Sequence, residues 1–451
     1  MPALLSLPSE LIYMVLGFVS KRDLLKVCLV NKALHDYCEP SIYSNIAFQW
    51  DHRRRPPIIE LLQTLVRRPE LFAYIETLSL EGHDHYSLQP MPLEKSQVAY
   101  AWWDFAAIVN TFNVPFTSQW VEQLWQGNMS AFVALLISRL SWATHLTITY
   151  NFVKNADLVG KVLQAKVFGG LPRFYRLKHM VYIHGVEFFA NSPEHRSRDG
   201  MSLFYLPTVT NLAVWVRNPA VFSWPDDTPN LDHLTSLDIE GCCPTFVGNI
   251  LALTPNLTSL AWSWHYAYNS NDPWTTKHLD LEEIISTLTP VKGTLERFQF
   301  RICIGSGYSS DFHPVIYVTG SFKHLVGFDR ITHLDVPLVC LAGFGAGPQP
   351  LVSFVPHSVE TLSLSTSLLF DEALPWMYEE DEEWPDQEVM DMLIELDDSH
   401  SDRLPRLRHI NIVDEIDSFD INGLDQMLME NPISVSVDIV RRDQRHWHDW
   451  L

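Results

Sequence analysis

Positive charge is scarce in this 451-residue chain: 32 Lys and Arg stand against 54 Asp and Glu, for a formal net charge of −22. A nucleic-acid binder needs a basic footprint that releases counterions, and the chain has none. An anionic membrane is disfavoured as a partner for the same reason. Cysteine is sparse as well: the six residues, at 28, 38, 242, 243, 303 and 340, form no C-x-x-C spacing. They read as reduced thiols of a cytoplasmic or nuclear protein, which leaves the sequons at Asn128 and Asn256 without meaning. Long apolar runs are missing, the cleanest being Ala131–Ile137, far short of a membrane span. Met1-Pro2-Ala3 has no basic character, and Ser6 and Glu10 break the apolar stripe behind it, so no secretory signal is expected.

Catalytic signatures are also lacking. There is no G-x-S-x-G, and Gly343-Phe-Gly345-Ala-Gly347 runs into Pro-Gln-Pro where a phosphate-binding helix would have to begin. Gly305-Ser-Gly307 fails in the same way. His83-Asp-His85 and His446-Trp-His448 pair two histidines each, but zinc needs three or four converging ligands, so they read as surface residues. No enzyme activity, cofactor or metal is expected.

What the chain does have is length for more than one domain, and a 47% hydrophobic fraction ordinary for a globular protein. Its acidity is uneven, because Asp371–Asp402 holds fourteen acids and no Lys or Arg. Trp376, Tyr378 and Trp384 stand among those carboxylates. That stretch reads as a solvated insertion, with capture of a basic partner as the functional alternative.

The first forty-odd residues show three short amphipathic helices. Leu7-Pro8 opens the first, proline being suited to the first helical position. Leu11, Ile12, Val15, Leu16 and Val19 then recur at helical spacing, with Glu10 and Tyr13 off the stripe. Ser20-Lys-Arg-Asp23 fits a capping box, followed by Leu24, Leu25, Val27 and Cys28 as a buried face. Val30, Ala33, Leu34 and Tyr37 form a third stripe that Pro40 is expected to end. Three helices of this size bury too little surface to stand alone. The run Leu7-Pro8-x-Glu10-Leu11, with Val15, Val19, Asp23-Leu24-Leu25, Val27, Leu29-Val30, Lys32 and the closing Ile42-Tyr43, resembles the F-box motif. The family often carries Cys before the basic residue and Trp or Phe two residues after it; here stand Asn31 and Leu34.

Downstream, Ile46-Ala-Phe48 reads as a short strand, Arg53-Arg-Arg-Pro-Pro57 as a hinge and Ile58–Val66 as a helix. Arg68-Pro-Glu-Leu71 leading into a Leu-x-Leu strand resembles the C-terminal region of fungal F-box proteins. From there an apolar-x-x-apolar-x-apolar segment recurs ten times: Ile75/Leu78/Leu80, Ala143/Leu146/Ile148, Leu177/Met180/Tyr182, Val209/Leu212/Val214 and Leu234/Leu237/Ile239 are the first five. Leu257/Leu260/Trp262, Leu295/Phe298/Phe300, Ile331/Leu334/Val336, Val359/Leu362/Leu364 and Leu407/Ile410/Ile412 complete the set. Central residues are mostly 23 to 38 apart, with gaps of 68 and 48. The pattern resembles a degenerate leucine-rich repeat, whose strands have one apolar face each and share a core by stacking. The first gap holds two expected helices, Val98–Phe112 and Trp120–Leu140.

The expected fold is therefore α/β: an F-box over residues 1–48, a linker and connecting helix over 49–70, and a leucine-rich-repeat-like solenoid over 71–440. Within the last, 82–142 is an enlarged helical return and 371–402 the acidic insertion; 441–451 closes the chain as a cap. The F-box resemblance implies that Leu7, Pro8, Leu11, Ile12, Val15, Leu16, Leu24, Leu25 and Val30 hold a Skp-type adaptor, through which a cullin–RING ubiquitin ligase is reached. It also implies that the solenoid presents a target protein to that ligase. A scaffold that binds the adaptor outside any ligase stays open. Strand alternation turns Trp215 and Arg217, Asp238 and Glu240, and Arg297, Gln299 and Arg301 away from the core. Aromatics and arginines dominate binding hot spots, so Trp215, Arg217, Arg297 and Arg301 are the target-binding candidates.

Overall fold

The computed structural model describes residues 2–82, 91–153, 157–183, 200–216, 222–267, 278–305, 316–342, 351–365, 403–414 and 436–441. His83 and His85, Arg217, Gly343–Gly347, the acidic stretch 371–402, and His446 and His448 lie outside them. The chain divides into two compact units: Met1–Gly185 with Arg198–Val209, and Val186–Ser197 with Thr210–Leu451.

The first unit opens with α1 (Pro2–Leu5), α2 (Ser9–Gly17), α3 (Lys21–Cys28) and α4 (Lys32–Ser44). Pro8 takes the N-cap position of α2, one residue ahead of the expected N1 site, and its carbonyl accepts from the backbone N–H of Leu11 and Ile12. Ser20 caps α3 by accepting from the Asp23 N–H at 3.2 Å, while its hydroxyl donates to the Asp23 carboxylate at 2.8 Å. Asn31, the residue that departs from the family pattern, caps α4: its Oδ1 accepts from the Leu34 N–H at 2.9 Å. Pro40 does not end this helix, which runs on to Ser44. The carbonyl that loses its partner there belongs to Asp36, on an exposed turn where water can serve it.

Strand β1 (Asn45–Trp50) follows without a break, so the helices and the sheet are built as one piece. The Glu39 carboxylate of α4 receives both Nη groups of Arg68, at 2.5 and 2.7 Å, and Lys21 Nζ donates to the Asn45 carbonyl at 2.5 Å. The expected hinge is a pinned turn. Asp51 Oδ1 accepts from the backbone N–H of Arg53 and Arg54, and Arg55 pairs with Glu94 at 2.5 Å.

Next come α5 (Ile58–Arg67), β2 (Thr77–Gly82), α6 (Lys95–Val109), α7 (Thr117–Gln126) and α8 (Met129–Arg139). Where one helix is expected over 120–140, two form. Gly127 adopts φ +76°, a left-handed conformation open to glycine, and the Asn128 N–H turns back to the Gln123 carbonyl. Met129 to Ser138 of α8 are all buried, the mark of a helix enclosed on every side. β3 (His145–Thr149), α9 (Asp157–Phe168) and β4 (His179–Ile183) complete the unit, whose strands pair in parallel in the order β1-β2-β3-β4.

The second unit holds β5 (Asn211–Trp215), β6 (Ser236–Glu240), β7 (Ser259–Ala267), β8 (His278–Asp280), β9 (Arg297–Gly305) and β10 (Tyr317–Thr319). β11 (His333–Pro337), β12 (Thr361–Ser365), β13 (His409–Asp414) and β14 (Ser436–Arg441) follow. Within this unit β5-β6-β7-β9-β11-β12-β13-β14 form a parallel sheet in chain order, and β8 pairs with β10 apart from it.

Register carries the main result. Leu212, Leu237, Leu260, Phe298, Leu334, Leu362 and Ile410 stand opposite one another from strand to strand, ending on Val437. In the first unit Ile46, Leu78, Leu146 and Met180 do the same. Each of the ten apolar triplets thus places its last two residues on a strand and buries its first just ahead of it. The lead-ins hold that register. The N–H of Thr235 donates to the Thr210 carbonyl, Thr258 to Thr235, Glu296 to Thr258, Thr332 to Glu296 and Glu360 to Thr332, all at 2.8–2.9 Å. A one-residue slip would turn every leucine to the other face. The returns cover the leucine face: Phe322 packs on Phe298 and Phe300, and Trp262 Nε1 donates to the Cys242 carbonyl at 3.0 Å.

Candidate functional site

Two surfaces carry functional weight, one in each unit. The first is the outer face of α2 and α3. Ile12, Leu16, Leu24 and Cys38 form a small closed core, with Val19, Val27, Cys28, Tyr37 and Ile42 packed against it. Leu7, Pro8, Leu11, Val15, Leu25 and Val30 turn the other way and are exposed. The single stripe expected along the first helix is therefore two stripes: one builds the helical domain, and the other has nothing over it. Leu25, expected on the buried face, belongs to the outer set.

Leu5, Met14, Phe18 and Leu29 are also exposed on these helices, and none of them is among the expected adaptor contacts, while Tyr13 packs edge-on against Tyr37. Phe18 and Leu29 are the most exposed, at 89% and 87%. Both are helix C-caps, Phe18 of α2 and Leu29 of α3. The signal that could have found them is helical spacing: Met14, Val15 and Phe18 follow Leu11 by three, four and seven residues, and Leu29 follows Leu25 by four. So many large apolar side chains left exposed on neighbouring short helices point to an interaction site. The core beneath holds the Cys38 thiol protonated, its pKa pushed up to about 11 by burial and by the neighbouring Cys28.

The second surface is the face of the second sheet opposite its leucines. Here the structure corrects the expectation of free side chains. Asp238, Glu240, Gln299 and Arg301 do face away from the leucine core, but they are buried. Strands about 4.8 Å apart crowd this face, and its side chains cover one another. Across the sheet Asp238, Ala261, Gln299, Asp335, Ser363 and Asn411 are in line, as are Glu240, Ser263 and Arg301. Gln299 Nε2 donates to the Asp335 carboxylate, and Asn411 Nδ2 donates to Ser363 Oγ at 3.0 Å.

The small residues Ala261 and Ser263 on β7 stand between the β6 acids and Gln299 and Arg301 on β9. Burial pushes the Asp238 carboxyl well above its usual range, while the Arg301 charge pulls it back. His265, in register with Cys303, has both ring nitrogens sealed from solvent with no hydrogen-bond partner. Burial lowers its pKa to about 4, so its ring is neutral.

Of the four target-binding candidates, Arg297 is exposed, Trp215 half-buried and Arg301 buried, while Arg217 lies outside the described residues. A groove beside Arg297 is lined by Ser259, Ala261, Gln299, His333, Asp335, Thr361 and Ser363. Of these only Gln299 was singled out by sequence reasoning, and His333 and Asp335 are the ionisable members it passed over. They occupy on β11 the positions that Arg297 and Gln299 occupy on β9. Among the described residues no three His, Cys, Asp or Glu side chains are placed to hold a metal ion, and no helix is long and apolar enough to cross a membrane.

Residues 4–49 match the F-box-like family model. F-box domains bind Skp-type adaptors of SCF-type complexes, so the match supports an adaptor of that kind as a partner. No curated protein matches the chain.

Proposed function

We propose that this protein is the substrate-recognition subunit of an SCF-type ubiquitin ligase. The outer face of the N-terminal helices docks on the Skp-type adaptor through Leu7, Pro8, Leu11, Val15, Leu25 and Val30, joined by Met14, Phe18 and Leu29. Ile12, Leu16 and Leu24 hold those helices in shape beneath. Residues 71–440 form a degenerate leucine-rich-repeat-like solenoid, and its face around Arg297 and His333 receives the target. The protein does no chemistry itself; it brings charged ubiquitin and a target lysine together, and proximity supplies the rate.

The observation that carries this reading is the patch of large apolar side chains left open on helices that match the F-box-like model. Co-expression with a Skp-type adaptor tests it, comparing the native chain with a Leu7→Asp, Leu11→Asp pair. Both positions are exposed, so the pair keeps its fold. Capture by the native chain and loss in the pair is the expected result. A folded native chain that captures no adaptor would overturn it.

A further inference from the structure

An aromatic patch on α6 and α7 stands apart from both surfaces. Tyr100, Trp103 and Trp125 expose 77%, 68% and 57% of their area. Trp102 joins them across the two helices: its ring centroid lies 4.0 Å from that of Trp103 and 4.9 Å from that of Trp125, meeting the latter edge-on at 70°. Tyr100, Trp103 and Asp104 share a helix face at three- and four-residue spacing, and Glu122 stands one turn before Trp125. Asp104 and Glu122 are exposed. No Lys or Arg occurs between Lys95 and Arg139. Lys161, which reaches α7 at Gln119, is neutralised by Asp157 at 2.6 Å.

Indole faces attract cations through their quadrupole, most strongly for Trp, and a carboxylate beside the ring adds to that field. The two helices offer rings set at an angle and exposed acids at Asp104 and Glu122, and they carry no Lys or Arg after Lys95 at the start of α6. We propose that this patch is a docking surface for a Lys- or Arg-bearing segment of a partner protein, held by cation–π contact with Trp103 and Trp125 and by the carboxylates of Asp104 and Glu122. The surface is independent of the adaptor-binding reading and would stand if that reading failed.

The test uses the full chain and a short fluorescent peptide of alternating Lys and Ala, with its Glu counterpart as control, read by anisotropy. A Trp103→Ala, Trp125→Ala pair is expected to weaken binding by about tenfold, two exposed cation–π contacts being lost. An Asp104→Asn, Glu122→Gln pair is expected to weaken it and flatten its salt dependence. All four side chains are exposed, so unchanged thermal unfolding shows that the variants remain folded. Undiminished binding in the Trp pair would place the peptide elsewhere on this acidic chain and overturn the proposal. Equal binding of the Glu peptide, or no binding of the Lys peptide, would overturn it too.

Discussion

Truncating neighbouring residues of α2 to alanine separates the outer surface from the core beneath it. Leu11 and Val15 keep 42% and 44% of their surface open, whereas Ile12 and Leu16 are sealed. Full burial of such a side chain contributes about 1.5–3 kcal/mol. The exposed share still available to a partner therefore amounts to about 0.6–1.3 kcal/mol for each of Leu11 and Val15. A Leu11→Ala, Val15→Ala pair should weaken adaptor binding by about 10- to 70-fold. Its stability should fall by about 1–2 kcal/mol per site at most, from the share of each side chain already buried in the fold. Leu16→Ala opens a cavity instead and should cost about 2–5 kcal/mol of stability. Titrating the Skp-type adaptor against each variant, alongside denaturant unfolding, reads both quantities. If Leu11→Ala unfolds the chain as readily as Leu16→Ala, or if the outer pair binds like the native chain, the division of this helix into two faces is wrong.

Asn31→Ala should remove about 1 kcal/mol through loss of the α4 cap, measured by urea unfolding. Arg301→Ala removes the charge that pulls the buried Asp238 carboxyl down and should lower stability, while exposed Arg297→Ala should leave it unchanged; unfolding of the two variants distinguishes them. Lys166 is buried in the first unit, donating to the Pro172 carbonyl at 2.6 Å and to the Ser138 carbonyl at 3.3 Å. Burial brings its pKa from 10.5 down to about 7. The unfolded chain then holds a proton that the folded chain has released, so this residue makes stability rise with pH between about 7 and 10.5. Lys166→Met should flatten the rise, as unfolding at pH 7 and at pH 9.5 would reveal.

The repeat was legible because period-two alternation and an apolar residue three positions ahead survive in each copy, even where Trp262, Phe298 and Phe300 replace the aliphatic residues. Register follows from that pattern, since only one alignment buries all of them. Burial on the opposite face was not legible: alternation says which way Asp238 and Arg301 point, but their cover comes from strands 23 to 38 residues away. The F-box was legible from Leu7-Pro8, the Ser20 cap and the stripe spacing. Its division into inner and outer residues was not, because Leu11 and Ile12 differ only by the hundred degrees that separate adjacent helical positions. Gly127 left a local sign of the break between α7 and α8, overridden by the long apolar run that follows. Pro40 misled in the other direction, because tertiary packing of Leu34 and Cys38 holds α4 together past it.

On the proposed function, this chain hangs a target-binding region on an adaptor that a cullin recognises. Size-exclusion chromatography of the purified chain, a Skp-type adaptor and a cullin, mixed together and pairwise, tests it most directly. The expected result is a ternary complex that needs the adaptor and is lost with Leu7→Asp, Leu11→Asp. A folded chain that forms a stable pair with the adaptor but never admits the cullin would contradict it, leaving an adaptor-bound scaffold outside any ligase.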